Sequence, residues 1–126
     1  MNIEEFRFYC LSKPESEECT PFDESTLVFK VAGKMFALTD ILDTEFKVNL
    51  KSDPEKAIEL REQYEEIQPG YHMNKMHWNT VNFDGSLNSK FLKSLVDESY
   101  LLVVKSLKKV DRERILNMLN EKPDPA

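Results

Sequence analysis

A chain of 126 residues with 40% apolar and 32% charged side chains has the size and balance of one globular domain around a single core. Its formal net charge of −6 weighs against a protein that coats nucleic acid or acidic lipid, and no apolar run approaches the ~20 residues that span a bilayer. Cys10 and Cys19 are too far apart for a CxxC motif and have no neighbouring His, so free thiols are expected and neither metal nor redox chemistry is signalled.

The opening MNIEEF places acids where a signal peptide needs a basic region, which predicts a cytoplasmic protein with no membrane partner; a monomer is expected. The charge is uneven. Residues 1–30 carry 3 basic and 7 acidic side chains, residues 31–66 carry 5 and 9, and residues 67–126 carry 9 and 7, so a local basic face is compatible with the acidic total.

Helix comes first: Asn2 with Glu5 approximates a capping box, and Ile3, Phe6 and Cys10 recur at helical spacing until Pro14 approaches. The acid-rich connection that follows predicts a short edge strand over residues 19–22. In LVFKVAGKMFALT, a two-residue turn at Gly33-Lys34 with glycine first, as type II′ requires, pairs Val31 with Phe36 and Phe29 with Leu38. That register buries Leu27, Phe29, Val31, Phe36 and Leu38 and leaves Val28, Lys30, Ala32, Met35, Ala37 and Thr39 on a second, half-polar face. EFKVNLK alternates as the third strand, with Phe46, Val48 and Leu50 inward. Asp53 as cap and Pro54 at the first position then open a helix with Ala57, Leu60, Tyr64 and Ile67 on one face, ended by Pro69-Gly70.

Residues 69–83, PGYHMNKMHWNTVNF, hold the only Trp and both His, and predict a tight strand pair or a bent strand, with Tyr71–Met73 entering, Asn74 and Lys75 near a turn and Met76–Phe83 leaving. A long helix from Asn88 carries the stripe Phe91, Leu92, Leu95, Val96, Leu102 and Val103, and a short amphipathic segment covers residues 111–120. The order is α-β(3)-α-β(2)-α, an α+β fold in which helices pack on one face of an antiparallel sheet and leave the other partly open. One domain over residues 1–120 and a flexible tail over residues 121–126 are expected.

PGYHMNKMHWNTV, DESTLVFKVAGKMFA and SYLLVVKSL together resemble the MmcQ/YjbR-like proteins over most of residues 1–110. The resemblance implies a fold similar to type III secretion chaperones and, from its double-wing look, DNA binding. This chain departs from the usual pattern in its acidity and in the segment after Val110.

No GxSxG elbow, phosphate-cradling loop or metal-ligand helix is present, so no catalytic activity and no cofactor is expected. His72 and His77 lack a third ligand and are read as hydrogen-bonded structural residues rather than a metal pair; a general acid/base use with Asp23 or Glu24 has nothing to place them together. A binding module is the expectation. Lys30 and Lys47 on the open face, Lys34 and Lys51 at its edges, and Lys75 with His72, Asn74, His77 and Trp78 from the central segment form the candidate surface, where lysines meet phosphates and an indole stacks a base. The alternatives are a core Trp78 and a protein partner on the same half-apolar face.

Overall fold

The computed structural model describes residues 1–120; the expected tail, 121–126, lies outside the described residues. The elements in order are α1 (Ile3–Leu11), β1 (Ser16–Cys19), β2 (Thr26–Val31), β3 (Lys34–Asp40), β4 (Lys47–Lys51), α2 (Pro54–Gln63), β5 (Ile67–Pro69), β6 (Trp78–Asn82), α3 (Ser89–Lys105) and α4 (Lys109–Asn120). The strands form one antiparallel sheet of order β1-β2-β3-β4-β6-β5. All four helices contribute buried side chains to one cluster, through Phe6, Leu60, Leu92 and Ile115 among others. The α+β architecture with helices gathered on one face is therefore present, with an edge strand and a fourth helix added to the expected order. No helix among the described residues is long and apolar enough to cross a membrane.

Local signals placed the helix starts. The Asn2 carboxamide accepts from the Glu5 amide at 2.8 Å, and Asn88 accepts from Phe91 at 2.8 Å, each satisfying an amide that has no intrahelical partner. Asp53 stands at the N-cap of α2 but makes no side-chain capping bond. In the core, the Phe6 ring meets Phe29, Phe46 and Phe83 edge-on at centroid distances of 5.3, 5.6 and 5.4 Å, the favoured geometry for aromatic quadrupoles.

Five expectations are corrected. The edge strand lies at Ser16–Cys19 rather than residues 19–22, paired with β2. The β2–β3 loop is Ala32-Gly33, with φ of 47° and 84°, so both loop residues are left-handed as in a type I′ turn and Val31 pairs with Lys34. Further in, Lys30 pairs with Met35 and Phe29 with Ala37, which leaves Phe36 as the extra residue of a β-bulge. Phe36 and Ala37 consequently both face the helices, and Leu38 turns to the open face, opposite to its expected direction. Thr39, registered between Leu27 and Val48, is buried with them.

The bulge has a partner in α3. The buried Ser99 hydroxyl donates to the Phe36 carbonyl at 2.6 Å and accepts from the Lys51 amide at 2.8 Å. It stands where the β3–β4 ladder, which ends at Ala37–Leu50, would next pair Phe36 with Lys51. Lastly, α2 ends at Gln63, so Ile67 belongs to β5 and pairs with Val81; its apolar spacing fits a helix equally well, and only pairing distinguishes the two. Tyr71–Met73 form no strand, and residues 70–77 are a loop.

Candidate binding groove on the open sheet face

Side chains of directly opposed residues share a face, so the register names the floor of the open side. One row crosses four strands: Leu38 opposes Asn49, Asn49 opposes Thr80, and Thr80 opposes Gln68. Beside it, Val28, Leu38 and Trp78 form a second small core against which Cys19, Met35 and Met73 pack. Trp78 thus points to the open face, as expected from the alternation, yet is only 8% exposed because Met73 and its neighbours cover it. It is a core residue on the side of the sheet that carries no helix, and offers no bare ring to a base.

Loop 70–77 that supplies Met73 is tied down by hydrogen bonds. The Tyr71 amide donates to Thr80 Oγ1 at 2.9 Å, and the Thr80 hydroxyl donates to Asn49 Oδ1. Arg61 of α2 donates through Nε to Asn79 Oδ1 at 2.7 Å and through its outer nitrogen to the Lys75 carbonyl. Gly70 is required by close approach: a Cβ there would sit 2.9 Å from both the Trp78 carbonyl oxygen and the Trp78 Cβ. His72 takes φ of 58° and lies against the Tyr71 ring, at a centroid distance of 4.0 Å.

Above this floor lies a groove of about 1090 Å³. One end of the sheet supplies its carboxylates: Asp40, Asp43 and Glu45 around the β3–β4 connection, and Glu65 and Glu66 before β5. Hydrogen bonding to the Ser86 hydroxyl holds Glu66 below the usual carboxylate range, so it stays ionised. The loop supplies Tyr71, His72 and Met73, and Phe22 arrives from the β1–β2 connection. Tyr71 and Phe22 are 70% and 64% exposed. Among the described residues the lining holds one lysine, Lys47, whose Nζ is 3.5 Å from Glu45.

Most of the candidate residues read from the sequence lie outside the groove. Only Lys47 and His72 line the groove. Lys30 is half-buried in β2 opposite Glu17. Lys34 points to the helical side, where Nζ donates to the Ser106 carbonyl at the C-terminus of α3, the end of a helix that favours a cation. Lys51 sits at the far end of β4 beside Trp78. Lys75 donates to the Gly70 carbonyl at 3.1 Å, inside its own loop. Asn74 closes a turn by accepting from the Met76 amide at 2.9 Å, and the His77 carbonyl accepts from Ser52 at 2.8 Å. Asp23 accepts from the Thr26 and Ser25 amides, which hold its carboxylate below the ordinary range, so its oxygens serve the loop that carries it.

Among the described residues no group of three or more His, Cys, Asp or Glu is arranged to hold a metal. Cys10 is buried, Cys19 half-buried, and both are free. What sequence reasoning missed is the acidic wall, because Asp40 and Asp43 precede α2 and Glu65 and Glu66 follow it, and no local signal joins the two groups.

Residues 11–102 match the family model YjbR. The uncharacterized protein YjbR of Escherichia coli K12 is 36% identical over 118 residues, covering 94% of this chain and all of that protein. The uncharacterized protein YbdF of Escherichia coli O157:H7 is 41% identical over 105 residues, covering 83% of this chain and 86% of that one. Among solved structures, Deinococcus radiodurans DR2400, of the domain family DUF419, is 42% identical with a TM-score of 0.85 over 90% of this chain and 87% of its own. A Pseudomonas syringae protein is 30% identical with a TM-score of 0.71 over 81% of this chain and 98% of its own.

Proposed function

The chain belongs to the YjbR family, and from that premise we propose that it is a non-enzymatic binding module whose open sheet face receives a segment of another protein. The observation that carries this reading is the charge of the groove, five carboxylates against one lysine already beside Glu45. A nucleic-acid backbone requires several cations on one surface, because its affinity comes from neutralised phosphates and released counterions. Of the five lysines that were candidates for that role, Lys34 is turned to the Ser106 carbonyl, Lys75 to the Gly70 carbonyl and Lys47 lies beside Glu45, and Trp78, the candidate stacking ring, is covered. A polypeptide needs apolar contact and hydrogen-bonding side chains, which Tyr71 and Phe22 at the rim and Asn49, Thr80 and Gln68 along the floor supply.

Amide chemical shifts measured while adding single- and double-stranded DNA, RNA, or an unfolded polypeptide at low salt test it. The polypeptide is expected to move the resonances of Leu38, Asn49, Thr80 and Gln68, and the nucleic acids to leave them in place. Movement of that row by nucleic acid, reversed by changing Lys30 and Lys47 to Glu, would return the module to DNA or RNA.

A further inference from the structure

The groove has two unlike walls, and this constrains what lies in it. On the side of the β3–β4 connection and the approach to β5 stand Asp40, Asp43, Glu45, Glu65 and Glu66. On the side of loop 70–77 stand Tyr71 and Met73, above the Leu38 and Trp78 cluster. The floor row from Leu38 to Gln68 crosses four strands, so the groove runs across the sheet for three interstrand spacings, about 14 Å. An extended chain advances about 3.3 Å per residue and sends successive side chains to opposite sides, so about four or five residues fill that length and meet the two walls alternately.

We propose that the occupant of this groove is a short extended segment of a partner protein in which Lys or Arg alternates with apolar residues, the cations facing the acidic wall and the apolar side chains facing Tyr71 and Met73. This rests on the docking reading above and adds the chemistry of the partner. Lys47 offsets one of the five carboxylates, and the rest of that charge faces the groove, so an acidic segment of the same apolar content is repelled. The apolar wall distinguishes the segment from a merely basic one, since Tyr71 is 70% exposed and removing it from water favours an apolar neighbour.

Three labelled peptides of equal length provide the test: alternating Lys and Leu, alternating Glu and Leu, and alternating Lys and Ser. The Lys–Leu peptide is expected to bind, more weakly as salt rises, and the other two to bind at least about ten-fold more weakly. Gln68→Trp, an exposed position whose new ring fills the groove, should abolish binding. Asp43→Asn with Glu65→Gln, which keeps the acceptor oxygen of the Asp43 turn, should weaken it about ten-fold, as loss of two nearby charges implies, while Glu59→Gln on the outer side of α2 leaves it unchanged. If the Glu–Leu peptide binds as well as Lys–Leu and Gln68→Trp abolishes both, polypeptide docking stands and the basic alternation is overturned. Lys–Ser binding equal to Lys–Leu overturns the role of the apolar wall. If no peptide binds, or binding survives Gln68→Trp, the docking reading falls with it.

Discussion

Replacing Trp78 by Ala separates a packed indole from a ligand platform. The side chain is 8% exposed and lies in a cluster with Val28 and Leu38, closed by Met35, Met73 and Cys19. An aromatic of this size buries about 200 Å², which at about 25 cal/mol per Å² is about 5 kcal/mol as an upper bound, and truncations of buried aromatics fall at about 3 to 5 kcal/mol. The cluster sits on the face without helices and its lid is a loop, so partial collapse of Met73 into the space places the expected loss at about 3 kcal/mol. Because this is the only Trp, unfolding in urea is followed by far-ultraviolet circular dichroism rather than fluorescence. Trp78→Phe, which keeps most of the apolar volume, should lose less than half as much. Amide exchange in residues 70–77 should quicken in the Ala variant, since Met73 loses the surface it rests on. A Trp78→Ala protein with unchanged stability would refute the packing argument.

Ser99→Ala removes the bridge between the Phe36 carbonyl and the Lys51 amide and should cost about 2 to 4 kcal/mol in urea unfolding, the range for two backbone groups left unpaired; a loss under about 0.5 kcal/mol would show that the bulge is indifferent to it. Ala32→Asn, at an exposed left-handed position before Gly33, should stabilise the hairpin by about 0.5 to 1 kcal/mol because Asn tolerates that backbone better than Ala, and a lowered denaturation midpoint would contradict the type I′ assignment. Burial pushes the Tyr100 phenol up to about 12, and its hydroxyl donates to the Pro14 carbonyl at 2.6 Å. The folded state therefore keeps this proton after the unfolded chain has lost it, so stability present below pH ~10 should fall by about 2 kcal/mol between pH ~10 and ~12; Tyr100→Phe should flatten that part of the profile.

The helix starts were legible because their signals are local: Asn2 with Glu5, Pro54 at the first position of α2, and Asn88 before the stripe of α3 each act within a turn of the backbone they cap. So was β4, where strict alternation from Phe46 to Leu50 admits one pair of faces, and the motif around His72 and Trp78 pointed to the family. Tertiary structure decided what depends on a distant partner. The apolar spacing of Ile67 suits helix and strand alike, and pairing with Val81 selected the strand. The bulge at Phe36, which turns Leu38 to the open face, is satisfied by Ser99, 63 residues further on, so no pattern within the hairpin reports it. The acidic wall is assembled from segments on either side of α2 because β4 pairs with β6 and β6 with β5. Periodicity constrains one element at a time; strand order and register are long-range choices, and in this protein they determine which side chains share the groove.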